Sequence, residues 1–310
     1  MRRAWRAPMD RDEIAAISAF AQHCRALGVR FGVGLSPHEF DDSGASADWT
    51  YLASRLASFD AIGIDDLAIL FDDIPGDDPK LAQRQAGLVA FASTRTRASR
   101  LFVCPSYYSD DPVLDRFFGA RPPDYLPQLG RWLDPAIAIF WTGEEVCSRE
   151  YGPAHLKQVA QMLGRLPVLW DNYPVNDGQR MSKHLHLRGF TGRPASNAAL
   201  LRAHAINPAL QPILGCIAAI TLAERYRIGD EAYAYGVAMA KACRLMLGDG
   251  LDRMVQADLI ALQDTGLDRL GPLHETLRER YAGVDHAAAR EIVQWLDGKY
   301  QITDEIVRTQ

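Results

Sequence analysis

Six short apolar runs, spaced roughly 30 to 40 residues apart, constrain this chain more than any other feature. They cover residues 29–37, 67–72, 100–105, 137–143, 167–172 and 198–206. Apolar residues at helical spacing lie between them over 48–59, 79–98, 124–132 and 153–164, and further helices are predicted at 11–27 and 210–226. An unbroken apolar run predicts a strand covered on both faces. Strands alternating with helices predict βαβ units and a parallel sheet. The runs also end alike, in SPH, FDDIPG, CPSYY, WTG, WDNYPVND and NP. One sheet edge is therefore rich in Asp, Asn, Tyr and Trp, as at the active face of a (β/α)8 barrel. No Gly-x-Gly-x-x-Gly or Walker motif follows any strand, so a nucleotide-binding doubly wound sheet is the weaker alternative.

The pattern changes after the helix at 210–226. Residues 230–309 show helical spacing only, broken at Gly248-Asp-Gly, Gly266, Gly271 and Gly283. Leu259, Leu262, Leu267, Leu270, Leu273 and Leu277 predict a small bundle in which the leucines serve packing. The expected fold is α/β: a (β/α)8 TIM-type barrel, N-terminally reduced to about six strands over residues 1–226, then an all-α segment over 227–310.

With 310 residues, 48% of them hydrophobic, and a net charge of −5, the chain can bury a large core beneath a polar surface. The acidic balance argues against a nucleic-acid partner. No segment is apolar over the length needed to cross a bilayer, and the start, MRRAWRAPMDRDE, lacks the apolar stretch of a secretory signal. Cys24, Cys104, Cys147, Cys216 and Cys243 are odd in number and form no Cys-x-x-Cys. They fit free thiols in a reducing, cytoplasmic setting. His184, His186 and His204 lack a third ligand at metal spacing, so neither metal nor cofactor is expected. Asp41-Asp42 reads as a solvated loop and Arg193 as a loop anchor.

The stretch from Leu67 to Gly76 concentrates the chemistry. Apolar residues run into Asp72 and Asp73, and Pro75-Gly76 then breaks the chain. Successive strand residues point to opposite faces, so two neighbouring carboxylates share one task only where the strand unravels into a loop. For the pair by itself a solvated turn remains the alternative.

The motifs FDDI (71–74), CPSYY (104–108), WTG (141–143), WDN-x4-D (170–177), Gly192-Arg193 and Asn207-Pro208 follow one another in order. Over residues 5–226 this series resembles glycoside hydrolase family 84, the O-GlcNAcases and bacterial β-N-acetylglucosaminidases. The resemblance implies that Asp72 accepts and polarises the acetamido N–H of the sugar, and that Asp73 is general acid and then general base. It implies that Tyr108 bonds the acetamido oxygen as it attacks, and that Asn172, Asp177 and Asn207 hold the substrate and its ring hydroxyls. Trp170, Cys104 and Val146 would wall the pocket for the acetyl methyl. Glu144-Glu145 and His38-Glu39 depart from the family pattern beside the expected site.

The implied chemistry is self-consistent. A β-linked 2-acetamido sugar carries its own nucleophile, the amide oxygen, so no carboxylate nucleophile is needed. One ionised carboxylate accepts the amide N–H as charge develops, and a protonated one gives its proton to the leaving oxygen. Adjacent acids suit both needs, because like charges repel and favour one remaining protonated. The substrate would be a GlcNAc-bearing glycan, glycopeptide or glycoprotein.

In the family, two further strands precede the segment matching Trp5-Arg6. Six strands alone would leave open edges. Two expectations follow: the sequence starts inside a longer one, or a second copy or partner closes the gap. The second leaves room for a non-catalytic or partner-dependent GlcNAc-binding protein.

Overall fold

The computed structural model describes residues 4–76 and 78–303; residues 304–310, part of the segment read as helical, lie outside the described residues. α1 (Arg11–Ala26) starts where the Asp10 side chain accepts from Glu13 N, a standard N-cap. Six strands are present among the described residues: β1 (Gly32–Leu35), β2 (Asp66–Leu70), β3 (Arg100–Cys104), β4 (Ala138–Trp141), β5 (Val168–Asp171) and β6 (Ala203–Ile206). Their order in the sheet is their order in the chain. α2 (Asp48–Ile62) follows β1, α3 (Leu81–Ser93) follows β2, and α4 (Pro112–Phe118) and α5 (Tyr125–Trp132) follow β3. α6 (Pro153–Leu163) follows β4, and α7 (Pro212–Ile228) follows β6. This is the succession of a TIM-type barrel with six of its strands, as expected.

Three local expectations are corrected. The sixth strand begins at Ala203, because residues Ala195–Leu200 wind into 3-10 turns. α4 was not expected, although Asp111-Pro112 announces it: Asp111 Oδ1 accepts from Val113 N at 2.9 Å and Pro112 opens the helix. Burial on both faces fails in β2, where Leu67 and Ile69 are buried but Ala68 and Leu70 are half-buried. An apolar run does not encode what packs across its second face.

The chain divides into two compact units, residues 1–143 with 154–168, and residues 144–153 with 169–310. In the first unit β1 to β4 pair in parallel, with Gly32 opposite Asp66, Leu67 opposite Leu101 and Phe102 opposite Ala138. Its core includes Leu52, Leu56, Leu67, Ile69, Val103 and Ile139. Burial of such side chains contributes about 1.5–3 kcal/mol each.

The second unit holds α8 (Tyr235–Leu247), α9 (Leu251–Ala257), a π-helical turn (Ile260–Thr265), α10 (Leu273–Ala282) and α11 (Ala287–Leu296). One core joins Leu214 and Ile217 of α7 to Cys243, Leu262, Leu277 and Trp295, and includes Leu185 and Leu187 from the β5–β6 connection. Leu273, expected in this packing, is 41% exposed at the start of α10. Among the described residues no helix is long and apolar enough to cross a membrane.

Candidate active site

β2 ends at Leu70, and the chain stays tied to β3 for one more residue, through Phe71 N to Cys104 O at 2.9 Å. Ser106 Oγ donates to Phe71 O at 3.0 Å. Behind it, Gln85 Nε2 donates to Ser106 Oγ at 2.8 Å and Ser106 N donates to the Tyr125 hydroxyl at 3.0 Å. The Tyr125 hydroxyl donates in turn to Gln85 Oε1. Burial holds this phenol far above its ordinary pKa, so it stays a donor. This buried network makes the end of β2 a fixed platform.

Asp72 and Asp73 leave that platform in a turn, and both are half-buried. Asp73 has φ 59, in the left-handed region. Asp tolerates that region better than most residues, yet the conformation still costs on the order of 1 kcal/mol. The turn is held in place further on. Gly76 N donates to Phe118 O at 2.9 Å, and Tyr107 OH donates to Gly119 O at 2.6 Å. A Cβ on Gly76 would lie 2.7 Å from Tyr107 Cε2, so only glycine fits here without rearrangement. Tyr108 is buried and its hydroxyl meets Asp73 Oδ1 at 3.4 Å. Cys104 is buried at the end of β3, with Sγ 3.8 Å from Pro105 O. Asp72, Asp73, Tyr108 and Cys104 thus all belong to the strand ends of the first unit.

In the second unit the end of β5 gathers four more of the expected residues. Trp170 Nε1 donates to Asn172 Oδ1 at 3.1 Å, and Asn207 Nδ2 donates to the same oxygen at 2.9 Å. Asn172 Nδ2 donates to Val146 O at 2.8 Å. The Asn172 amide is therefore oriented by three bonds, and oxygen and nitrogen are assigned by their partners. Val146 was expected to supply a side-chain wall. It is buried, and its carbonyl also anchors Asn172. Asp177 is half-buried at the far end of the loop that begins with Tyr173-Pro174.

A carboxylate that sequence reading left without a role organises this end. Asp171 is fully buried, and Arg193 grips it through Nη2 to Oδ1 at 2.7 Å and Nε to Oδ2 at 2.8 Å. His204 Nε2 lies 3.0 Å from Asp171 Oδ2, and since a carboxylate only accepts, Nε2 carries the proton. His204 Nδ1 meets Tyr226 OH at 2.9 Å, where burial pushes the phenol up to about 12. Burial opposes the Arg193 charge, but the hydrogen bonds and charge of Asp171 outweigh it and raise its pKa. Arg193 Nη2 also donates to Ser148 O at 2.7 Å. The loop anchor is thus a buried ion pair with its remaining donors satisfied. Asn207 N donates to Asp171 O at 2.9 Å, so Asp171 fixes the backbone beside both Asn172 and Asn207. A signal was present in an Asp placed last in a buried strand, where a charge requires a partner.

The family model described as beta-N-acetylglucosaminidase matches residues 1–263. Protein O-GlcNAcase of Rattus norvegicus and that of Mus musculus are each 24% identical over 318 residues, covering 97% of this chain. The alignments take in 34% of those proteins, so the chain spans about a third of the length of the curated relatives it matches. Among solved structures, an Asp-to-Asn variant of Thermobaculum terrenum O-GlcNAc hydrolase superposes with a TM-score of 0.76 at 24% identity. That match covers 96% of this chain and 72% of the other, and it bears on the fold. With a family model matching most of its length, the chain belongs to the beta-N-acetylglucosaminidase family, glycoside hydrolase family 84.

Proposed function

We propose that the protein is a retaining β-N-acetylglucosaminidase that removes terminal β-linked GlcNAc by substrate-assisted catalysis through an oxazoline. The observation that carries this reading is the half-buried Asp72–Asp73 turn, held in a left-handed backbone at the end of β2 beside Tyr108. Asp72 accepts the acetamido N–H while the amide oxygen attacks the anomeric carbon. Asp73 protonates the leaving oxygen and later takes a proton from the attacking water. Tyr108 bonds the acetamido oxygen, which requires its hydroxyl to leave Asp73. Asn172, Asp177 and Asn207 hold ring hydroxyls, and Trp170, Cys104 and Val146 line the acetyl pocket. The substrate class is a GlcNAc-bearing glycan, glycopeptide or glycoprotein. We place the protein in the cytoplasm, a reading supported by five free cysteines. Hydrolysis of an aryl β-N-acetylglucosaminide by wild type, Asp72→Asn and Asp73→Asn tests the assignment: equal rates in all three would remove it.

A second reading is favoured by β1. It pairs with β2 and has no other strand partner among the described residues. Beside it lies a cavity of about 460 Å³ lined in part by Trp5, Met9, Val33, Leu35 and Leu70. Open strand edges are normally covered. In this reading a second copy or another protein covers β1, and the isolated chain binds GlcNAc without turning it over. A monomer in solution with full hydrolytic activity would exclude it.

A further inference from the structure

Residues Ile260–Thr265 wind as a π-helix, a rare form that recurs as single turns at functional positions. The turn stops at Gly266, with φ 86, where a Cβ would lie 2.8 Å from His184 Cε1. The last carbonyls of a helix need partners from outside it. Here segment 184–188 of the β5–β6 connection supplies them. Leu185 N donates to Leu262 O at 3.1 Å, and His184 Nδ1 donates to Gln263 O at 2.7 Å. The Gln263 side chain bonds in the opposite sense. Its Oε1 accepts from Leu187 N at 2.8 Å and from Arg188 N at 2.9 Å.

The segment held in this way is bonded rung by rung to the loop that runs from Asn172 to Asp177. Asn176 Nδ2 donates to His184 O at 3.0 Å, His186 Nδ1 to Pro174 O at 2.9 Å, and Tyr173 OH to Arg188 O at 2.6 Å. The Tyr173 and His186 rings stack with centroids 5.5 Å apart and planes 14° apart. Asn176, next to Asp177, is fully buried, and its oxygen accepts from Leu210 N at 2.9 Å. A continuous set of bonds therefore runs from the π-helical turn, through 184–188, to the residues flanking Asn172 and Asp177.

We propose that Gln263 is a positioning residue for the Asn172–Asp177 loop. Its Oε1, beside the backbone bonds from Leu262 O and Gln263 O, lets the C-terminal helical segment set the geometry of the loop proposed to hold the sugar. What the loop holds rests on the glycosidase reading; the link from Gln263 to the loop does not.

Gln263→Leu keeps the size and removes the acceptor, while Gln263→Glu keeps an acceptor oxygen where Oε1 meets Leu187 N and Arg188 N. Hydrogen exchange on the full chain should show the amides of residues 173 and 175–178 exchanging about tenfold faster in Gln263→Leu and near wild type in Gln263→Glu. With an aryl β-N-acetylglucosaminide, Gln263→Leu should raise KM about tenfold with kcat changed less than about threefold, and Gln263→Glu should restore KM. Faster exchange confined to 184–188, with residues 173 and 175–178 and KM unchanged, would overturn the proposal. So would Gln263→Glu behaving like Gln263→Leu. If Gln263→Leu does not fold, Gln263→Asn, one methylene shorter, must give the same order of effects. A wild type that hydrolyses nothing removes the glycosidase reading and leaves the exchange result to decide the link.

Discussion

Two strand ends carry acids, and they are built in opposite ways. At the last residue of β5, Asp171 is fully buried, gripped by two nitrogens of Arg193 and met by His204. After β2, Asp72 and Asp73 are half-buried, and Asp73 sits in a left-handed backbone with Tyr108 at 3.4 Å. A carboxylate enclosed by an arginine and a histidine holds backbone together and is closed to a substrate. One half-buried at a left-handed turn, on a rigid platform, is the one proposed to meet a reactant. Strain at such a position is the usual mark of function over stability.

The largest effect that would break this contrast is in rate. Asp73→Asn should lower kcat/KM on an aryl β-N-acetylglucosaminide by about 10²–10⁴-fold with little change in thermal midpoint. If stability falls instead and activity stays, the two ends are alike and the contrast is wrong. Next comes Arg193→Met, which leaves Asp171 buried without its cation. Denaturant unfolding should show a loss of about 3–5 kcal/mol. Gly76→Ala should cost about 1–3 kcal/mol through the clash with Tyr107, and should slow hydrolysis by moving the acid turn. Asp73→Gly sharpens the contrast from the other side. Relief of the left-handed strain should stabilise the fold by about 1 kcal/mol while abolishing hydrolysis, as equilibrium unfolding and the same assay would show.

The smallest effect is the pH dependence of His186. Burial holds this imidazole below its ordinary value of 6.5, against the Pro174 carbonyl that favours its charge. Its folded pKa is depressed, so the unfolded chain takes up the proton first. The stability it contributes is present above 6.5 and is lost as the pH falls from there through the lowered value. Urea titrations across that window should show this slope, and His186→Phe should flatten it.

The acid pair, the strand ends and the helical character of the last third were legible in the residues, because each is local. Leu67 to Phe71 running into Asp72 and Asp73 is a strand meeting a turn, whatever packs around it. Asp111-Pro112 was an equally local sign of α4. Hidden from the sequence was every partner that lies far along the chain. Arg193 reaches back 22 positions to Asp171, and Gln263 reaches back 76 to Leu187. Periodicity and turn chemistry act over a few residues, so they determined which segments are strands and helices and where a charge ends a strand. Which carboxylate is buried against an arginine and a histidine and which is half-buried at a turn depends on partners that only packing brings together, and the tertiary structure decided that.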